Sequence, residues 1–212
     1  MTDTLTSAPR SKDGRSTRDA VIDAASRLMH VNGYHNTSLD NVLRESGVGK
    51  GNFYYYFKSK EDLGYAILDR IVALFIGRTL EPCFANPDDS PLTQISCFLD
   101  RILETQRQRN CVGGCPLGNL AAELSDQHEG FRTRLAGVFS AWRDRLTLAL
   151  RDAQARGQVG RDCRPESIAQ FLVASLEGSI LMTKLTKDIT VMEECIGEMK
   201  RYLAIYDVEA RR

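Results

Sequence analysis

Two short stretches of this 212-residue chain carry side chains spaced for chemistry. The first is Gly47-Val48-Gly49-Lys50-Gly51-Asn52-Phe53-Tyr54-Tyr55-Tyr56-Phe57. Lys50 and Asn52 can donate hydrogen bonds to base edges, whereas Tyr54, Tyr55 and Lys60 suit phosphate contacts, which set register on a duplex without reading its sequence. Gly49 and Gly51 remove side-chain bulk where a helix starts, so backbone N–H groups there can approach an anion closely. The second stretch is Cys111-Val112-Gly113-Gly114-Cys115-Pro116. Proline favours the first helical position, which puts Cys115 at an N-cap, facing unpaired N–H groups and a positive helix end. A thiol so placed is expected to have a lowered pKa and to react with electrophiles, or to be oxidised to a sulfenic acid that Cys111 resolves as a disulfide. The alternative for Cys115 is a buried structural thiol.

The elements that position these residues follow from periodicity. Val21, Ala24, Ala25, Leu28 and Met29 recur at helical spacing after Ser16, and Gly33 supplies the stop. Thr37 with Asp40 three residues on reads as a capping box, making Thr37 the N-cap of a short helix over Leu39 to Ser46 that Gly47 ends. A second short helix runs from Gly49 to about Phe57. Phe53 and Phe57, four apart, pack inward, while three consecutive tyrosines cannot share one helix face, so some tyrosine is exposed. Two short helices joined by Gly47-Val48-Gly49 fit a helix-turn-helix whose second helix enters the major groove. Thr37 and Ser38 at its start, and Arg44 near the end of its first helix, complete the expected DNA contacts.

Ser59 caps a long helix from Lys60 to about Leu80, and Pro82 to Pro91 forms a break. Further helical patterns cover Leu92 to about Arg107, Pro116 to Leu124, His128 to about Arg156, Pro165 to about Thr186 and Thr190 to about Tyr206. The expectation is an all-α protein of about nine helices. A flexible arm over 1–15 precedes a three-helix DNA-binding domain over 16–63, and a larger effector-binding and dimerisation domain spans 64–212. Phe98, Phe131, Phe139, Trp142 and Phe171 are the aromatic candidates to line an apolar effector pocket there.

Composition bounds these readings. Apolar residues make up 42% and charged residues 26%, ordinary for a soluble globular chain. The formal net charge is zero, so DNA binding rests on local charge: residues 1–60 carry nine Lys/Arg against six acids, a net of +3. Met1 to Arg18 is polar and lacks the apolar segment of a secretory signal, and no run approaches an uncharged membrane span, since Ile71 to Ile76 is short and Glu177 interrupts a later one. A cytoplasmic protein is expected, with its six cysteines as reduced thiols. Cys111 and Cys115 alone fall short of a metal's ligand set, and no cofactor motif is present. Gly47-x-Gly49-x-Gly51 lacks the preceding strand and spacing of a nucleotide loop. His30, His35 and His128 sit in no nucleophile motif, which argues against an enzyme.

The segment Thr17 to Leu63 resembles the DNA-binding domain of the TetR family of regulators. The likeness is carried by Ile22, Ala25, Gly33, Thr37, Gly47, Val48, Gly51, Phe53, Tyr54, Tyr56, Phe57, Ser59, Lys60, Glu61 and Leu63. The chain departs from the family pattern at Val42-Leu43-Arg44, where an Ile-Ala pair is usual. The resemblance implies an all-helical homodimer, a separate ligand-binding domain and a palindromic operator. It also implies that the last two helices form the dimer interface; Ile168, Phe171, Leu172, Ser175, Leu176, Gly178, Ser179 and Met182 suit that role or an intramolecular core. Gly114 to Leu124 is similar to a segment of TetR relatives that repress detoxifying reductases and respond to electrophiles, whose sensing cysteine falls on Cys115 and whose lysine falls on Lys184. Modification of Cys115 would then shift the recognition helices off half-sites about 34 Å apart.

Overall fold

A computed structural model describes residues 16–208. The expected arm over 1–15 lies outside them. Two compact units divide after Ile71, within a helix and eight residues beyond the boundary drawn at 63.

The first unit holds the three expected helices and the start of a fourth: α1 (Thr17–Asn32), α2 (Leu39–Ser46), α3 (Lys50–Tyr56) and α4 (Lys60–Phe75). The Ser16 hydroxyl caps α1 by accepting from the Asp19 N–H at 3.1 Å. Val21, Ile22, Ala24, Ala25 and Met29 turn one face of α1 into core. Ser38, not Thr37, is the N-cap of α2, accepting from the Asn41 N–H at 3.1 Å. Thr37 is fully buried, and its hydroxyl donates to the Gly33 carbonyl at 2.8 Å across the turn. A buried hydroxyl needs that partner, and the exposed neighbour is left to cap. Arg70 on α4 reaches back to Asp19 at 2.7 Å and Asp23 at 3.1 Å, tying α4 to α1.

The second unit carries α6 (Pro91–Gln108), α7 (Pro116–Leu124), α8 (Glu129–Ala155), α9 (Pro165–Thr186) and α10 (Ile189–Ala204). With α1 to α4 these make the nine expected helices among the described residues. The long fourth helix does not run unbroken to Leu80: a π-helical turn, Ile76–Leu80, leads into a short α5 (Glu81–Phe84). Pro82 supplies the reason. It has no N–H for the Arg78 carbonyl and its ring crowds that carbonyl, so the turn widens; the Glu81 N–H bonds Ile76. The Arg101 guanidinium on α6 then donates to the Arg78 carbonyl at 3.0 Å.

Cys83 on α5 and Cys97 on α6 form a disulfide, with Cα atoms 5.5 Å apart. This corrects the expectation of six reduced thiols; Cys111, Cys115, Cys163 and Cys195 are free. α8, α9 and α10 pack side by side, with Ile168, Leu172 and Leu176 of α9 and Met192, Ile196 and Met199 of α10 buried. By length and hydropathy α9 matches a membrane span, but one face of it, with Ile168, Leu172, Leu176 and Ile180, supplies core to this bundle. Phe75 stacks on Trp142, 4.2 Å between ring centres, and meets the Phe98 ring edge to face.

Candidate nucleic-acid interface and effector cavity

In the first unit, α2 and α3 are joined by Gly47-Val48-Gly49. Gly47 adopts φ +68°, a left-handed conformation that ends α2 and that a side chain would strain. Gly49 and Gly51 are different. Both keep negative φ, and a Cβ built on either meets nothing within 4 Å. The fold itself therefore does not require glycine there, and bare backbone faces open space at the N-terminus of α3. Around it Ser38, Arg44, Lys50, Asn52, Tyr54 and Tyr55 are all exposed, Tyr55 by 71%. Phe53 is fully buried and Phe57 nearly so, their rings 5.5 Å apart, anchoring α3 against the core. Tyr56 is half-buried.

Two expected contacts stand elsewhere. Thr37 is sealed in the core and presents no hydroxyl to a partner. Lys60 sits 4.5 Å above the Tyr34 ring, and its ammonium donates to the His35 carbonyl at 3.3 Å, so it braces the turn between α1 and α2.

In the second unit, the chain from Asn110 to Gly114 makes a sharp reversal, with positive φ at Asn110, Cys111, Gly113 and Gly114. It delivers Cys115 to the N-cap of α7, where the sulfur accepts from the Gly118 N–H at 3.3 Å. Cys115 lines a cavity of about 350 Å³ whose apolar walls include Ala121, Phe139, Ile180 and Leu181. Lys184 lines it too, packing its stem against Gly114 and donating to the Asn119 amide oxygen at 3.0 Å. The Asn119 amide in turn donates to the Gly113 carbonyl at 2.7 Å.

The electrostatics of Cys115 reverse the expectation of a lowered pKa. Burial pushes the thiol well up, and the nearby Glu177 carboxylate pushes it further; the Gly118 and Leu117 N–H groups pull only weakly the other way. Cys115 is therefore a neutral thiol beside Glu177. Glu177 itself is raised above its ordinary range by burial, against a smaller opposing effect of the Cys115 thiol.

Of the five aromatic candidates, Phe139 lines the Cys115 cavity. Phe98, Phe131 and Trp142 are buried core, and Phe171 is exposed, its ring 5.0 Å from Tyr202. Cys111 is buried outside the cavity lining. Glu177 and Asn119 are the polar lining residues that the sequence reading passed over. The signal for Glu177 was present: one acid within the otherwise apolar run of α9.

A helix-turn-helix unit followed by a larger helical unit with its own cavity defines a one-component DNA-binding regulator. Residues 21–76 match the family of bacterial regulatory proteins called tetR, and residues 91–199 match the tetracyclin repressor-like C-terminal domain. An uncharacterised helix-turn-helix transcriptional regulator of Lactococcus lactis is 34% identical over 186 residues, 88% of this chain and 92% of that one. The regulatory protein TetR from Rhodobacter sphaeroides has a crystal structure that superposes with TM-score 0.80 at 29% identity, covering 87% of this chain and 97% of that one. The transcriptional repressor NemR of Escherichia coli is 26% identical over 192 residues, 89% of this chain and 94% of that one. Its reduced form superposes with TM-score 0.79, covering 87% of this chain and 95% of that one. The chain belongs to the TetR family and is a DNA-binding transcriptional regulator.

Proposed function

We propose that the protein is a repressor that binds a palindromic operator as a homodimer and lets go when an electrophile or oxidant modifies Cys115. Ser38, Arg44, Lys50, Gly51, Asn52, Tyr54 and Tyr55 make the DNA contacts, Lys50 and Asn52 at base edges and the others on the phosphate backbone. Support comes from the exposure of this set around a bare α3 N-terminus. Dimer formation is supported by Phe171, Leu181, Met182 and Leu185, large apolar side chains exposed along α9. The single observation that carries the effector half is Cys115 at a helix N-cap, opening into an apolar cavity that Lys184 also lines.

A second reading is favoured by the raised pKa of the same thiol: a non-covalent apolar ligand fills the cavity and Cys115 is only part of its wall. Selecting DNA fragments on the purified protein, with and without p-benzoquinone, separates the two. Covalent sensing predicts recovery of one palindromic sequence that quinone abolishes for wild type and spares for Cys115→Ser. Equal loss with both proteins favours the non-covalent ligand.

A further inference from the structure

Three titratable groups converge in the cavity from two helices. Cys115 stands at the start of α7, and Glu177 and Lys184 lie two turns apart on α9; among the described residues these are the titratable side chains lining the space. The Cys115 and Glu177 side chains come together at Gly118, on the wall of the same cavity. Gly118 is what lets them meet, because a Cβ there would collide with Glu177 Oε2 and touch the Cys115 Cβ. The other carboxylate oxygen, Oε1, is buried without any hydrogen-bond partner. A buried acid with an empty acceptor site is costly to keep, and packing the α8–α9–α10 bundle does not call for it.

A neutral thiol adds poorly to electrophiles, and a base in contact with it removes that limit. We propose that Glu177 is the general base for covalent capture, at Cys115, of small uncharged α,β-unsaturated carbonyl compounds. The inference rests on the Cys115 reading given under Proposed function. As the Cys115 sulfur bonds the β-carbon, its proton passes to Glu177 and the alkene pair shifts onto the carbonyl oxygen. That oxygen becomes an enolate, which the Lys184 ammonium and its Asn119 partner face. The enolate α-carbon then takes a proton from Glu177, directly or through water, and the carboxylate is restored. The net step adds S–H across C=C, with nothing oxidised and no co-reactant. Walls of Ala121, Phe139, Ile180 and Leu181 favour an uncharged, flat reactant.

The test is the rate at which methyl vinyl ketone alkylates Cys115 in the purified full-length protein, followed by mass spectrometry and peptide mapping from acidic to alkaline pH. Removing the base in Glu177→Gln should slow Cys115 by roughly a hundredfold at neutral pH. Its remaining rate should rise in proportion to hydroxide, whereas the wild-type rate levels off once Glu177 is ionised. Glu177→Asp should recover part of the loss. Thermal melting and operator binding without ketone report that the variants are folded. The proposal is overturned if Glu177→Gln is alkylated as fast as wild type with the same pH profile, or if wild-type Cys115 is not alkylated at all. Operator release, read in parallel, keeps the two ideas apart. Glu177-dependent alkylation without release sinks the sensing role and leaves Glu177 a base. Release that needs Cys115 but ignores Glu177 does the reverse.

Discussion

Replacing Glu177 by Gln should make the protein more heat-stable as pH rises into the alkaline range and leave it little changed in acid. Burial holds this carboxyl above its ordinary 4.5, with the Cys115 thiol acting in the opposite direction. A group whose folded pKa exceeds its unfolded one binds its proton more tightly when folded. Its contribution to stability is complete below the unfolded value and is lost as pH rises through the folded one. Once pH has risen through the folded value the wild type carries a buried carboxylate whose Oε1 has no partner. Such a group costs roughly 1–3 kcal/mol. Gln keeps the shape and removes the charge but still buries a polar atom, so recovery of about 1–2 kcal/mol is expected. For a chain of this length that corresponds to roughly 2–8 °C in Tm. Scanning calorimetry of both proteins across the pH range reads the difference. A Gln variant that melts at or below wild type in alkali, or a gap that widens toward acid, refutes the reasoning.

Lys50→Ala should weaken operator binding and lower the slope of log K against log salt by about one, the signature of one lost phosphate or base-edge cation, read by anisotropy over a salt series. Gly47→Ala should cost about 1 kcal/mol of stability because φ is +68° there. Gly51→Ala should leave thermal stability unchanged, having open space for its methyl group, yet reduce operator affinity. Reducing the Cys83–Cys97 bridge, which closes a loop over a separation of 14 residues, should lower stability by about 3 kcal/mol, visible as a drop in melting temperature with reductant that the Cys83→Ser variant does not show.

Where neighbouring residues settle a feature, it is legible in the sequence. Pro116 and Pro165 open α7 and α9 at the expected residues, and the Phe53/Phe57 spacing identifies the buried face of α3. What escapes depends on partners distant along the chain. Thr37 and Ser38 both satisfy the capping rule, and the choice between them is made by burial and by the Gly33 carbonyl. The break after Phe75 follows from Pro82, but what satisfies the Arg78 carbonyl is Arg101, from a different helix. Periodicity says that Phe98, Phe131 and Trp142 point inward without saying whether they meet one cavity. The N-cap of Cys115 correctly places the sulfur, yet its protonation is set first by burial and then by Glu177, more than sixty residues away. That contact has no local signature beyond an acid in an apolar helix.

In the proposed switch, modification of Cys115 by an electrophile controls the grip of α3 on DNA. Fluorescence anisotropy of a selected operator duplex, titrated with wild type and with Cys115→Ser before and after p-benzoquinone, tests it most directly. Equal affinity of the two untreated proteins, followed by release of wild type and retention of Cys115→Ser, is the predicted result. Release of both, or of neither, contradicts it.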